Sequence, residues 1–334
     1  YAAASFNNHN PWHPVMPAVT AYIGRMSYLM RQGEPANQVA ILLPTDDAWA
    51  SFRPTQTTVT GAMQRLITPA LMSAILSAGY NADFIDADAI DKVGLGHHSI
   101  LVLPPTDRVP LGTLRKIAAW EKAGGKVIGI GRAPSIDPEG KTVAELMTLS
   151  KQLFDSAKST LVADEAHLPD ALHTAAKPDL DLSGSDEATR NQIGFIRRHL
   201  PNADIYYVVN TSNTSLDTTA NLATHHAFGE EWDLDTAAVS LASATSLPIH
   251  LDPYGSRVYV FSDTKPEVKQ APKAAGFAVP LDISSAWKVT FPGLNKTVDE
   301  PNLTDWIADP STLHYSGEAI YSRDVKMALS LIHI

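Results

Sequence analysis

Cysteine is absent from all 334 residues, which excludes a disulfide framework, a thiolate zinc or iron–sulfur site and a cysteine nucleophile. Any catalysis must use carboxylates, histidines, hydroxyls or a hard metal. No window approaches the roughly 18 consecutive apolar residues of a membrane span; the longest runs are of the kind Ile100 to Leu103 and Val127 to Ile130. Positive charge is also scarce. The 26 basic against 36 acidic residues give a net charge of -10, a field that disfavours nucleic acid as a partner. The chain begins at Tyr1 without an initiator Met or an apolar leader, so its natural start is expected elsewhere. What remains is ordinary globular composition, 44% apolar and 19% charged with 19 Gly and 23 Pro, at a length that predicts two or three domains.

Apolar positions from Val15 through Tyr22, Met26 and Leu29 keep helical spacing between Pro14 and Gly33, with proline suited to the entrance and glycine to the exit. The run from Gln38 to Leu43 reads as a strand buried on both faces. A second helical pattern follows, from Met63 to Ala78, which Pro69 should kink or split. Alternation then continues: strands at Asp83 to Ile85, Ser99 to Leu103 and Lys126 to Ile130, helices at Leu111 to Ala123 and Val143 to Ala157. Strands separated by helices of this length imply right-handed crossovers and a parallel, doubly wound sheet over about residues 38–175.

The texture changes at residues 176–189, polar and rich in Asp and Ser, which read as a loop or linker. Beyond it, IGFI from Ile193, Asp204 to Val209, Pro248 to Leu251 and Arg257 to Phe261 are strand-like and separated by turn residues, which predicts a small antiparallel β domain over residues 190–264. After a connector from Lys265 to Gly276, Trp287 to Phe291 and Tyr315 to Tyr321 suggest the start of a β-sandwich over residues 277–328. The last six residues, 329–334, read like a translated sequencing adaptor.

The densest polar and aromatic cluster is Asn7-Asn8-His9-Asn10-Pro11-Trp12-His13, just before the first helix. Amides and imidazoles exchange hydrogen bonds with sugar hydroxyls while an indole covers the apolar face of the ring, so His9, Asn10, Trp12 and His13 are candidate substrate-binding residues. The plainer reading is a proline-rich loop capping the helix. The pairs His97-His98 and His225-His226 invite a metal, but neighbours on a strand point to opposite faces, so a structural role is favoured for both. Asp83, Asp86, Asp88 and Asp91 lack the Gly and terminal Glu of a calcium loop and read as a solvated connection.

Gly124-Gly125 and Gly129-Ile130-Gly131 stand in the wrong order for a dinucleotide fingerprint. Glu230, Glu231 and Asp233 flank Trp232, yet a glycosidase needs two carboxylates across a cleft, so this segment reads as a turn bearing a packed Trp. Four Asn-X-Ser/Thr sequons, at Asn210, Asn213, Asn295 and Asn302, matter only in a eukaryotic secretory setting. Spacing alone reveals no catalytic pair.

The stretch HNPWHPVMPAVTAYIGRMSYLMRQGEPANQVAILLPTDDAWA resembles a segment of glycoside hydrolase family 106, the α-L-rhamnosidases, through Trp12, Tyr22, Arg25, Leu29, Gly33 and Val39 to Leu43. Later blocks, AGYNADFID, FIRRHLPNADIYYVVNTS, EEWDLDT and SGEAIYSRDV among them, extend the likeness over most of the chain. The resemblance implies a large secreted or periplasmic bacterial enzyme acting on polysaccharide, with a (β/α)₈ barrel, an inverting mechanism and a calcium requirement. On that footing residues 1–37 are the last loop and helix of the barrel, 38–175 a flavodoxin-like domain and 277–328 a truncated, galactose-binding-like sandwich. The catalytic glutamates then belong upstream of Tyr1, the metal ligands have no assigned position, and the fragment alone is expected to be inactive. Where the family often has two adjacent tryptophans, this chain has Trp12-His13. Two other readings stay open: a carbohydrate-binding or scaffold protein without a catalytic barrel, and a β-galactosidase-type enzyme sharing the α/β domain.

Overall fold

A computed structural model describes residues 8–10, 12–55, 58–140, 143–182, 184–267 and 282–325; the adaptor-like residues 329–334 lie outside them. The chain forms two compact units, Ala18–Ala271 and a second made of Tyr1–Pro17 with Pro272–Ile334.

In the larger unit the first predicted helix is α1 (Met16–Met30), whose first two residues fall in the smaller unit. Gly33 at φ +56° ends the turn after it, and a β-carbon there would lie 2.1 Å from the His199 carbonyl oxygen. A two-residue strand β1 (Glu34–Pro35) follows, then β2 (Val39–Leu42) and the short helix α2 (Thr45–Ala50). Pro69 splits the next helical pattern, as its missing N–H requires. The pieces are α3 (Thr60–Leu66) and α4 (Pro69–Ser77), the latter capped by the Thr68 hydroxyl, which accepts the Leu71 N–H at 3.0 Å.

The alternation then runs β3 (Ala82–Ile85), α5 (Ala87–Val93), β4 (Ile100–Leu103), α6 (Leu111–Lys122), β5 (Lys126–Ile130), α7 (Val143–Phe154), β6 (Ser159–Val162) and α8 (Leu168–Ala175). The five strands are parallel in the order β3-β2-β4-β5-β6. Side chains alternate between two cores, because successive strand residues face opposite sides. Ala40, Leu42, Leu101 and Leu103 meet Ile90, Leu114, Ile117 and Leu146 on one face. On the other, Val39, Ile41, Ile100 and Val102 meet Leu71, Ile75, Leu168 and Leu172. Helices therefore cover both faces, and the doubly wound parallel sheet is present.

Residues 176–189 are not a free linker. They carry β7 (Leu180–Asp181) and the first turn of α9 (Glu187–Gln192), and Leu180 and Leu182 are core residues. Asp179 is fully buried, bonded by Arg197 Nη1 at 2.7 Å and Gln38 Nε2 at 3.0 Å. Leu180, Leu182 and the paired Asp179 anchor the middle of this otherwise more exposed stretch to the core, so it is a packed connection and not a free linker.

The antiparallel part follows: β8 (Ile193–Leu200), β9 (Ala203–Asn210), β10 (Leu216–Leu222), β11 (Phe228–Trp232), β12 (Val239–Ala242), β13 (Leu247–Leu251) and β14 (Ser256–Ser262). They form a six-stranded sheet, β1-β8-β9-β14-β11-β12, and a three-stranded one, β13-β10-β7. Phe195, Tyr206, Tyr259 and Phe261 of the first pack against Leu216, Ala220, Leu247 and Ile249 of the second. The opposite face of the large sheet buries Ile205 and Val258 under Leu29, Tyr22 and Met26 of α1. Tyr22 bonds the Tyr207 and Ser256 hydroxyls at 3.0 and 2.7 Å, and Arg25 donates to the Leu234 carbonyl at 2.6 Å. The turn expected around Trp232 is instead a strand, with Glu230 and Trp232 paired to Leu241 and Val239.

In the smaller unit β15 (Ser285–Phe291) lies between β16 (Lys296–Asn302) and β17 (Ile320–Ser322), all antiparallel. Of the predicted strand from Tyr315 to Tyr321 only Ile320 and Tyr321 are in β17; Tyr315 instead packs edge-on against Phe291.

Candidate functional site

The loop singled out in the sequence forms a tight turn within the smaller unit. Asn10 organises it: its side-chain oxygen lies 3.4 Å from the Trp12 N–H, and its carbonyl accepts the His13 N–H at 2.9 Å. A short 3₁₀ turn, His13–Val15, then opens α1. The capping reading and the site reading are thus compatible, because one turn starts the helix and presents His9 and Asn10.

His9 and Asn10 line a cavity of about 790 Å³ with Pro14, Trp306, Tyr315 and Glu318. Its aromatic wall is built on buried Phe291, with the Trp306 and Tyr315 rings 5.2 and 5.5 Å from it in edge-on contact. Hydrogen bonds fix both rings. The Trp306 indole N–H donates to the Tyr321 hydroxyl at 2.6 Å, and the Tyr315 hydroxyl donates to the Glu318 carbonyl at 2.9 Å. Gly317 permits the loop to cross that ring, since a β-carbon there would meet the Tyr315 hydroxyl at 2.6 Å.

Lys296 braces the same segment through Asp309 at 2.5 Å. Lys296 first, then the Ser311 N–H, hold the Asp309 carboxyl down at about 2. An imidazole, amides, a carboxylate and two aromatic rings around one cavity can exchange hydrogen bonds with hydroxyls and cover an apolar ring face.

Of the four candidate residues, the structure gathers His9 and Asn10 into this cavity. Trp12, 41% exposed, and exposed His13 are not among its lining residues. Trp306, Tyr315 and Glu318 had escaped sequence reasoning. About 300 residues separate them from His9, and no local pattern carries that proximity.

Apart from Asp83, the carboxylates singled out in the sequence have structural partners. Glu230 accepts the Trp232 indole N–H at 3.2 Å, and Glu231 pairs with Arg257 at 3.2 Å. Asp86 caps α5 through the Ala89 N–H at 2.7 Å, Asp88 pairs with Lys92 and Asp91 with Lys116. The acidic run therefore does not converge on one point as the six to eight oxygens of a calcium ion require.

The crevice beyond the carboxyl ends of β2 and β4, where an open α/β sheet of this strand order binds nucleotides, is also engaged. Asp47 accepts the backbone N–H groups of Asp107 and Arg108 at 2.8 and 3.1 Å, and the Arg108 guanidinium at 2.9 Å. A carboxylate thus takes the donors a phosphate would need. Burial, and then the Asp47 charge, raises the neighbouring Asp46 above the ordinary carboxylate range.

Comparison with known proteins agrees with this architecture. The chain resembles the rhamnosidase from Novosphingobium sp. PP1Y with a TM-score of 0.67 and 20% identity, over 97% of this chain and 32% of that one. It resembles a β-galactosidase from Bacillus circulans sp. alkalophilus with a TM-score of 0.53 and 11% identity, over 77% of this chain and 46% of that one. In sequence it is 24% identical over 291 residues to a Formosa agariphila protein named "Putative beta-glucuronidase", covering 81% of this chain and 23% of that protein. It therefore spans less than a third of the rhamnosidase and about a quarter of the Formosa protein. No helix among the described residues is long and apolar enough to cross a membrane. Residues 2–245 match the domain that defines the family described as alpha-L-rhamnosidase, and the chain belongs to glycoside hydrolase family 106.

Proposed function

We propose that this chain is the C-terminal, accessory part of an inverting α-L-rhamnosidase-like enzyme that is secreted or periplasmic and acts on polysaccharide. The observation that carries the reading is the family match over residues 2–245. Residues 1–37 then close a (β/α)₈ barrel, residues 38–175 form a flavodoxin-like companion, residues 190–264 a β domain and residues 277–328 the beginning of a galactose-binding-like sandwich. The catalytic carboxylates come from sequence before Tyr1; Glu230 and Glu231 are already committed to Trp232 and Arg257. One carboxylic acid protonates the glycosidic oxygen while a second carboxylate, about 6.5–9.5 Å away, activates water. Calcium belongs to this proposal through the family alone, and no step is assigned to it. The cavity of His9, Asn10, Trp306 and Tyr315 is the carbohydrate-facing surface contributed by this chain.

The test is an aryl α-L-rhamnoside assay on the whole protein and on this chain alone. Release by the whole protein and none by the chain is expected, with His9→Ala and Trp306→Ala in the whole protein raising KM about tenfold or more through lost contacts (about 1.4 kcal/mol is tenfold in an equilibrium). Release of galactose or glucuronic acid in place of rhamnose would overturn the assignment of the sugar. Hydrolysis by the chain alone would overturn the accessory role.

A further inference from the structure

Away from that cavity, the edge strand β3 and the loop between α5 and β4 bring three metal-ligating side chains together. Asp83, His97 and His98 each present one donor atom, and these lie within 4.8 Å of one another. The surroundings orient them. The His98 Nδ1 lies 2.8 Å from the Leu95 carbonyl oxygen, which can only accept, so Nδ1 carries a proton and Nε2 is the nitrogen left to meet a ligand. That Nε2 faces Asp83 Oδ2 at 2.9 Å. The other Asp83 oxygen accepts from the Asn37 amide at 2.8 Å. A proton on Nε2 bridges this gap as a hydrogen bond; with Nε2 deprotonated, a metal cation takes the proton's place between nitrogen and carboxylate. An imidazole held through its far nitrogen by a carbonyl, and a carboxylate held by an amide, are the outer supports found around metal ligands. The His97 ring stacks on His98 with centroids 4.4 Å apart, is exposed, and is able to swing toward the same point.

We infer that Asp83, His97 and His98 form a binding site for a divalent transition metal of the zinc class, with water completing a tetrahedral set. Two nitrogens and one carboxylate oxygen suit zinc; the all-oxygen shell of calcium or magnesium is absent among these three ligands. Donors around such an ion sit about 3.4 Å apart at bonds of about 2.0–2.1 Å, so from donor separations of at most 4.8 Å the exposed His97 closes by up to about 1.4 Å while His98 and Asp83 open from 2.9 Å by about half an ångström. The ion ties the edge strand to the loop that delivers β4. The site rests on its own geometry and is independent of the rhamnosidase reading.

The test uses the full chain, freed of metal by a chelator and titrated with zinc sulfate by calorimetry, with melting temperature followed in parallel. One zinc bound per chain and a rise in melting temperature are expected, with zinc affinity unchanged when calcium chloride is present. His97→Ala and Asp83→Asn each weaken zinc by about tenfold or more, a scale at which even outer supports of metal sites act. The exposed pair His250 and Asp217, 2.7 Å apart, supplies the control, since His250→Ala leaves the affinity unchanged. His97→Ala keeps the His98–Leu95 and Asp83–Asn37 bonds, so its fold is checked by an unchanged circular dichroism spectrum. Zinc affinity indifferent to His97→Ala and Asp83→Asn would overturn the site, as would calcium displacing the bound zinc at equal concentration.

Discussion

Arg197 shows how much of this fold depends on single side chains. It bonds Asp179 at 2.7 Å, approaches Asp204 at 3.4 Å and lies over the Tyr206 ring at 5.5 Å, while His199 reaches Asp204 at 2.9 Å. Both carboxylates are buried, and burial pushes Asp179 above the ordinary carboxylate range against the opposing bonds from Arg197 and Gln38. Removing the guanidinium leaves fully buried Asp179 with only the Gln38 amide while Asp204 keeps His199, so Arg197→Ala should cost about 3–5 kcal/mol in urea unfolding; a loss under about 1 kcal/mol would count against the network. Asp309 gives a prediction in pH. Its carboxyl is held at about 2, below the ordinary 3.8, by Lys296 and Ser311, so its contribution is complete above the ordinary value and is lost as pH falls through about 2. The difference in urea midpoint between the natural chain and Asp309→Asn, measured from about pH 5 downward, should therefore shrink toward zero in acid.

Among elements, those buried on two faces were the most legible, because β2, β4 and β5 read as continuous apolar runs and needed no partner to be recognised. Pro69 likewise announced its helix break. β10, β11 and β12 were missed. β10 buries Leu216, Ala220 and Leu222 but turns Asp217, Thr219 and Asn221 outward, and β11 and β12, at the end of the large sheet, bury no side chain fully and are only five and four residues long, so none gives a continuous buried apolar run. The anchoring of residues 179–182 was hidden for a related reason: Asp179 is buried against Arg197, eighteen residues on. The site was half legible. His9 and Asn10 stood out as a polar cluster, whereas Trp306 and Tyr315, and the Asp83 partner of the histidine pair, are joined to it or to one another only by the fold. At this scale Thr68→Ala should destabilise α4 by about 1 kcal/mol through loss of the Leu71 N–H bond, seen as a lower urea midpoint, with Thr68→Ser restoring most of it.

For the whole molecule, the parallel sheet has the order of nucleotide-binding domains, but its crevice is closed by Asp47 and Arg108. Flavin mononucleotide, NADH or ATP should accordingly leave the melting temperature unchanged, whereas a saturable rise would show that Asp47 yields to phosphate. The order of strands along the chain also has a consequence in time. Residues 39–162 supply a complete parallel sheet between β1 and its partner β8, which pairs Glu34 with His199. The partners of α1 are later still, Ile205, Leu234 and Val258. On a ribosome adding about 5–20 residues per second, the apolar side of α1 waits roughly ten to forty-five seconds for the last of them. The α/β domain completes its sheet in that interval, so the nascent protein passes through a stage with one finished body and one uncovered helix, the stage at which a chaperone has most to hold.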